Sequence, residues 1–173
     1  MRLVELRIHN YKSLRSVSFT PGPLSVLVGP NAAGKSNLCD ALDFVGEMYR
    51  WGLELAVAHH GGYENICYRH ARRSKSPIRL SIRAHADANI MGRLVPGRRR
   101  TPQVPFAFEH DIEFVTATRA IQAPFRIARE TVAISSTEGG PVAGRELLRY
   151  SREGDTITDA DSGGLKKLLQ PLY

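Results

Sequence analysis

The chain has 173 residues, 42% hydrophobic and 24% charged, which fits one globular domain and excludes a low-complexity chain. Lysine and arginine number 24 against 17 acidic residues, and the net charge of +7 favours contact with nucleotide or nucleic-acid phosphates, although a basic globular domain explains it equally well. The spacing of Cys39 and Cys67 fits no metal site and no segment resembles a signal peptide or a membrane span, so we expect a cytoplasmic protein without membrane contact.

Three strands are predicted before the first helix. Residues 3–8 and 16–19 alternate polar and apolar side chains, which is typical of half-buried strands, and residues 10–14 form the turn between them. Residues 24–28 are almost continuously apolar and are bounded by Pro23 and Gly29. Such a run indicates a buried central strand.

A helix is predicted from about residue 35 to residue 51. Its apolar positions recur at spacings of three and four and fall on one face: Leu38, Leu42, Val45 and Met48. Gly52 ends or kinks this helix, residues 54–60 extend it, and Gly61 with Gly62 stops it.

Residues 61–104 form a basic segment. Its cationic residues include Arg69, Arg72, Arg73, Lys75, Arg79, Arg83, Arg93, Arg98, Arg99 and Arg100. Within it, residues 78–83 alternate apolar and polar or basic side chains, which predicts a strand with one apolar and one basic face. The cationic residues are candidates for contact with nucleic-acid phosphates, and a solvated loop is the alternative interpretation.

The remaining sequence favours strands over repeated strand–helix units. The predicted strands span residues 106–118, 125–134, 146–151 and 156–158. Glu113 and Glu130 fall on these strands and are interpreted as exposed strand-face residues rather than catalytic acids. Residues 165–169 begin another helix. This part of the chain therefore predicts an antiparallel meander.

One motif carries chemical meaning, and it lies between the apolar run and the helix. Its eight residues match G-x-x-x-x-G-K-[ST] without a gap: Gly29, Pro30, Asn31, Ala32, Ala33, Gly34, Lys35 and Ser36. The glycines let backbone N–H groups surround phosphates, and the N-terminus of the following helix favours an anion there. Lys35 is expected to reach the β and γ phosphates and Ser36 to ligate Mg²⁺. We predict a site for ATP; a glycine turn between strand and helix is the alternative.

Around this motif the chain resembles the opening of ABC-type AAA ATPase heads of the SMC/RecF/OLD-like group, in the stretches IHNYKSLRSVSF and PLSVLVGPNAAGKSNLCDAL. In that group an N-[FY]-[KR]-S turn precedes a strand and the loop G-P-N-x-x-G-K-S-N. Residues 10–13 and 29–37, which end at Asn37, stand at those places, and the resemblance covers about residues 2–48. Ala32 departs from the pattern, because many relatives carry glycine there, and its methyl group narrows the freedom of the loop.

The resemblance implies an α/β fold, with a P-loop NTPase core of the ABC/SMC type and an antiparallel β lobe. It implies that residues 29–37 bind ATP and Mg²⁺, and it places Lys12 and Ser13 near the nucleotide, although a solvated hairpin tip explains these two residues equally well. In such heads ATP is held between two heads and its hydrolysis controls their contact. The resemblance thus implies a homodimer or higher oligomer, with a companion effector protein and DNA as further candidate partners, in DNA repair or phage defence.

Heads of this group also carry a Walker B run, four apolar residues followed by Asp-Glu, and an LSGG-like signature. This sequence has no such run, and its nearest approach to a signature, residues 162–164, lacks the preceding Leu-Ser. Gln103 and Gln122 are candidates for a magnesium-sensing glutamine, and ordinary surface glutamines are the alternative. We therefore identify no catalytic residue and expect one domain fragment, incomplete at its C-terminus and inactive alone. Its predicted parts are a P-loop core (1–60), a basic variable segment (61–104) and an antiparallel lobe with the start of a helix (105–173).

Two other functions stay open on these residues. One is a regulatory nucleotide-binding module that does not hydrolyse its ligand. The other is a basic nucleic-acid-binding domain in which the loop is incidental. ATP turnover separates the first from an ATPase head, and the salt dependence of DNA binding tests the second.

Overall fold

The computed structural model describes residues 2–68, 76–86, 105–116, 125–137 and 144–161. Within these ranges the elements, in chain order, are β1 (Arg2–Tyr11), β2 (Leu14–Phe19), α1 (Lys35–Trp51), α2 (Leu53–His59), α3 (Tyr63–Ile66), β3 (Ile78–Ala86), β4 (Phe106–Thr116), β5 (Phe125–Ser136), β6 (Glu146–Glu153) and β7 (Thr156–Asp161). The strands predicted from alternation are confirmed, and the first turn is shorter than predicted. Several predictions lie outside the described residues: the helix at 165–169, Gln103, Gln122, residues 162–164 and most of the basic segment.

The strands within the described ranges form a sheet in the order β2-β1-β3-β4-β5-β6-β7. The two residues between β1 and β2 permit only an antiparallel hairpin. Antiparallel pairing also joins β5 to β6, with Val132 opposite Tyr150, and β6 to β7, with Tyr150 opposite Ala160. The predicted antiparallel part is confirmed. The described residues are mostly antiparallel sheet with few helices and do not show the predicted α/β P-loop core.

Helix α1 confirms the helix predicted from residue 35 to residue 51. Its buried side chains lie on one face: Leu38, Ala41, Phe44, Val45 and Met48. Leu42, which was predicted on this face, is half-buried. Gly52 separates α1 from α2 with a φ of 93°, a value that glycine adopts without steric cost. No helix within the described ranges has the length and apolar character needed to cross a membrane.

The chain divides into two compact units, and one comprises Arg7–Leu80 and Glu113–Ala128. The core of this unit is aromatic. Phe44 of α1 packs against Tyr11, with ring centroids 5.5 Å apart, and against Phe114, at 6.1 Å. All three residues are fully buried. Because aromatic rings bury large apolar areas, these contacts fix α1 and therefore the loop that precedes it.

The other unit comprises Met1–Leu6, Ser81–Ile112 and Arg129–Tyr173. Its described core includes Phe106 of β4 and Leu147 of β6, which are 5% and 1% exposed. The half-buried side chains of Ala86 and Ile134 pack against this pair.

Three ionisable side chains meet on β4, β5 and β6 within this unit. His110 Nε2 lies 3.0 Å from Glu130 Oε1, and Arg152 Nε donates to Glu130 Oε2 over 2.7 Å. The Glu130 side chain is 15% exposed, so its interpretation as an exposed strand-face residue is wrong. A carboxylate tolerates burial when cationic or polar donors satisfy both oxygens, and the register of three strands supplies those donors here.

Residues 24–28 differ from their prediction. They form no strand, and the side chains of Leu24, Val26 and Val28 are 84%, 73% and 88% exposed. An apolar run becomes a buried central strand only when other strands pair with both of its edges and other layers cover its faces. Among the described residues no strand pairs with this segment. The prediction of a buried central strand is therefore wrong for this structure.

Candidate functional site

The predicted phosphate-binding loop, residues 29–36, is largely exposed and leads directly into α1. Ala33 N donates to Pro30 O over 3.3 Å and closes a tight turn. Gly34 then has a φ of 91° and Ala32 a φ of 64°, both in the left-handed region. Glycine enters this region freely, whereas the β-carbon of an alanine makes it less favourable by about 1–2 kcal/mol. The backbone of the loop thus requires Gly34 and is strained at Ala32.

Lys35 folds back over this loop. Its Nζ donates to Gly29 O and to Pro30 O, each over 2.7 Å. An ammonium carries three protons, so Lys35 can keep both bonds and also donate to an oxygen of a bound anion. Helix α1 begins at Lys35 without an acidic residue in its first turn, so its partial positive charge adds to the charge of the ammonium. This end of the loop is suited to a phosphate group.

Ser36 lies on the same first turn of α1 and is exposed. A hydroxyl oxygen, together with phosphate oxygens and waters, is the type of ligand that Mg²⁺ takes. The residue present therefore fits the predicted ion.

The turn between β1 and β2 packs against the loop. Asn37 Nδ2 donates to Ser13 Oγ over 2.6 Å, and a β-carbon at Gly34 would lie 3.5 Å from the same oxygen. Lys12 has a φ of 46°, which is uncommon for a residue with a β-carbon, and Lys12 N donates to Ile66 O over 2.7 Å. These contacts hold Ser13 beside the loop and fix the backbone of Lys12.

A cavity of about 450 Å³ lies beside this turn. Its lining residues are Lys12, Ser13, Glu64, Asn65, Cys67 and Tyr68. Tyr68 N donates to Asn10 O over 2.8 Å, and Tyr11 forms a β-bridge with Cys67, so the segment after α3 is fixed along the end of β1. The volume falls within the range of small-molecule pockets, about 300–1,000 Å³. The lining offers a cation, a hydroxyl, an amide and an aromatic ring to a ligand, together with the thiol of Cys67 and the carboxylate of Glu64.

Asp40 of α1 is the centre of a polar cluster. Its Oδ2 accepts hydrogen bonds from Lys12 Nζ and from Tyr11 OH, each over 2.6 Å. Its Oδ1 lies 3.3 Å from His60 Nδ1, and His60 Nε2 lies 3.5 Å from Glu47 Oε2. The cluster therefore joins α1 to the end of β1 and to His60, which caps the C-terminus of α2.

The charge of Asp40 is stabilised in this cluster. Burial acts to raise the pKa of Asp40, but the hydrogen bonds from Lys12 and Tyr11 outweigh it, so the pKa lies below its ordinary value. Burial raises the pKa of Tyr11 far above its ordinary value, and the bond to Asp40 raises it further. At neutral pH the carboxylate is therefore ionised, and the Tyr11 hydroxyl remains a neutral donor.

The basic face of β3 is matched by acidic side chains. Arg79 Nε donates to Glu113 Oε2 over 2.8 Å, and the Glu113 side chain is only 23% exposed. Arg83 lies 3.4 Å from Glu5 Oε2 and 3.7 Å from Glu109 Oε1. The described part of the basic segment is therefore charge-compensated, which does not favour the predicted contact with DNA at this strand.

The structure brings together most of the residues that the sequence singled out. Residues 29–37 form one loop and helix start, Ser13 lies beside them, and Lys12 lines the adjacent cavity. Sequence reasoning missed Asp40 and the contact of His60 with it. The sequence spacing could have identified Asp40, because it follows Ser36 by four residues. It therefore lies one turn further along the same side of a helix.

Two comparisons with known proteins found similarity over part of the chain. Residues 1–56 match the family model described as an AAA ATPase domain. A stretch of 47 residues is 45% identical to part of Structural maintenance of chromosomes protein 1 of Saccharomyces cerevisiae. This stretch is 25% of the chain and only 4% of the yeast protein. The two matches support an AAA- or SMC-like ATPase, and neither distinguishes the OLD-like group.

Proposed function

We propose that this chain carries the nucleotide-binding part of an AAA- or SMC-like ATPase head and that its ligand is ATP with Mg²⁺. One observation carries the proposal: Lys35 Nζ is held over the loop at 2.7 Å from two of its carbonyl oxygens, at the N-terminus of α1. A fixed ammonium and a helix N-terminus at one place make a site for phosphate. The match of residues 1–56 to an AAA ATPase domain supports this reading.

Each residue has a defined role in the proposed site. Residues 29–34 bring backbone N–H groups to the phosphates, and Lys35 neutralises the β and γ groups. Ser36 would hold Mg²⁺, which offsets phosphate charge when bound. Asn37 and Ser13 support the loop through their 2.6 Å bond. The cavity beside Lys12 is the place for the sugar and base, since its tyrosine and amide suit stacking and hydrogen bonding.

In the complete head, ATP hydrolysis would be coupled to dimerisation of two heads. This wider proposal includes a homodimer or higher oligomer, a companion effector protein and a role in DNA repair or phage defence. It draws support from the resemblance of residues 2–48 and from the yeast relative named for chromosome maintenance. Because no water-activating residue is identified in this chain, we expect binding without appreciable turnover.

The affinity of the full chain for Mg-ATP, measured by isothermal titration calorimetry, tests the binding proposal. Lys35→Met keeps the length of the side chain and removes its charge, and we expect at least about tenfold weaker binding, because hydrogen bonds to charged groups are the stronger ones. Arg129→Met is the matched control, since it removes one positive charge from a side chain that is 68% exposed. Equal affinity of Lys35→Met and wild type contradicts the proposal.

A regulatory module without hydrolysis is the second candidate, since the geometry of residues 29–37 accounts for binding of a nucleotide and does not by itself account for turnover. Turnover of ATP by the chain, alone and with a candidate companion, separates the two functions. Sustained hydrolysis by the chain alone would contradict the proposal of a regulatory module without hydrolysis. It would also contradict the expectation that this chain is inactive by itself.

A further inference from the structure

Asp40 lies on α1 one helical turn beyond Ser36 and contacts groups from other elements. Lys12 Nζ and Tyr11 OH both donate to its Oδ2 over 2.6 Å, and His60 Nδ1 lies 3.3 Å from its Oδ1. We propose that Asp40 is a positioning residue that holds the ammonium of Lys12, a residue that lines the cavity beside the β1–β2 turn, and that this ammonium meets the anionic nucleotide. This inference rests on the proposed nucleotide binding and names a further residue that controls it.

Asp40, which we call the anchor of Lys12, is itself held rigidly. Tyr11 is fully buried and its ring packs against Phe44, so its hydroxyl is fixed relative to α1. His60 is only 10% exposed and also packs against Phe44, with ring centroids 5.3 Å apart. A carboxylate held on both oxygens by fixed groups cannot turn without breaking those contacts. Asp40 therefore offers Lys12 a stationary negative charge.

Lys12 is placed between this anchor and the site. Its backbone N–H is bonded to Ile66 O, and Lys12 lines the cavity together with Ser13. Ser13 in turn accepts the bond from Asn37, the residue that follows Ser36. Lys12 thus lines a cavity that one hydrogen bond, from Asn37 to Ser13, connects to the first turn of α1.

Anchoring gives Lys12 an advantage in binding. A free lysine side chain loses rotamer freedom when it contacts a ligand, and this loss weakens affinity by about two- to tenfold. A lysine that Asp40 already holds has lost that freedom before the ligand arrives. Because an ammonium has three protons, Lys12 can keep Asp40 and also donate to a nucleotide oxygen.

A double-mutant cycle on the full chain tests the inference, with Mg-ATP affinity measured by calorimetry. We expect Asp40→Asn to weaken binding about two- to tenfold, and Lys12→Met to weaken it at least as much. In the Lys12→Met background, Asp40→Asn should have no further effect, because it acts through Lys12. Tyr11 and Lys12 contact the same oxygen of Asp40, so asparagine keeps a neutral acceptor there and the core contact with Tyr11, and it removes the negative charge that holds the Lys12 ammonium.

Asp43→Asn is the matched control, because Asp43 is an exposed carboxylate on the same helix. It should leave affinity unchanged. The inference is overturned if Asp40→Asn binds as wild type or more tightly, or if its effect is the same with and without Lys12.

Two comparisons separate failure of this inference from failure of the proposed function. If Lys35→Met loses affinity while Lys12→Met does not, nucleotide binding stands and only the inference fails. If the wild-type chain binds no nucleotide, both fail. Amine labelling followed by mass spectrometry checks the anchor without nucleotide: Lys12 should label faster in Asp40→Asn than in wild type, and equal rates contradict the anchor.

Discussion

Asn37 Nδ2 and Ser13 Oγ lie 2.6 Å apart, and this hydrogen bond joins the first turn of α1 to the turn between β1 and β2. The bond is exposed, so its value for folding is modest. Its position matters more, because a β-carbon at Gly34 would lie 3.5 Å from the same oxygen. The turn therefore supports the loop at the point where the loop becomes a helix.

Asn37→Ala should lower the free energy of unfolding by about 0.5–1.5 kcal/mol, which is the usual net value of one hydrogen bond. Urea denaturation measures the change. Ser13→Ala should produce a similar loss, and the double variant should lose little more than either single one, because both remove the same bond. Fully additive losses would show that the two side chains act separately.

Gly34→Ala should destabilise the chain and weaken nucleotide binding. The φ of 91° disfavours alanine by about 1–2 kcal/mol. In addition, the new β-carbon would lie 3.2 Å from Leu14 Cδ2, so the Leu14 side chain would have to shift by a few tenths of an ångström. Thermal unfolding and ATP titration measure the two effects.

Gly46→Ala on α1 is the control for this substitution. Gly46 is exposed, and a β-carbon there meets no atom within 4 Å. Alanine is favoured over glycine inside a helix by about 1 kcal/mol, so this variant should be more stable than wild type. If both variants shifted the melting temperature in the same direction, the positive φ of Gly34 would not explain the effect of its substitution.

The Glu130 cluster predicts a specific loss of stability in acid. The hydrogen bond from His110 lowers the pKa of Glu130, burial opposes it, and Arg152 adds to the lowering, so the pKa lies below the ordinary 4.5. A carboxyl with a depressed folded-state pKa stabilises the fold above its unfolded-state pKa. That contribution is lost as the pH falls through the folded-state value.

Urea unfolding of wild type and Glu130→Gln between about pH 7 and pH 3 measures this contribution. The stability gap between them should be largest near neutral pH and should close below about pH 4.5. Glu146→Gln is the control, because the Glu146–Arg149 pair is exposed and such pairs contribute little. A gap that stays constant with pH would show that Glu130 acts through shape rather than charge.

Local patterns were sufficient to predict the elements that local forces determine. The period of α1 and the glycine after Trp51 give its bounds, and the alternation of β3 gives its buried face. The loop was predictable because its eight residues are contiguous. Its neighbour Ser13 was found only through a resemblance, since Ser13 and Asn37 are 24 positions apart.

Contacts that depend on register were not predictable from the sequence. Asp40 meets His60 only because α2 folds back after Gly52, and Glu130 meets His110 only because two strands pair in one register. A shift of one residue would turn either strand's side chains to the opposite face. Hydrophobic periodicity does not contain this information.

For the apolar run at residues 24–28 the sequence predicts a buried strand, whereas the structure has an exposed segment. One pair of substitutions tests which of the two is correct. Val28 is 88% exposed, so Val28→Ala should change the free energy of unfolding by less than about 0.5 kcal/mol. Val45 of α1 is 7% exposed, and Val45→Ala should cost about 1–2 kcal/mol through lost burial and a small cavity. The two variants remove the same atoms, and the higher helix propensity of alanine offsets part of the loss at Val45, so a larger loss at Val45 in urea denaturation reports its burial. Equal losses would mean that residues 24–28 are buried as a central strand, as their pattern predicts, and would contradict the exposed segment.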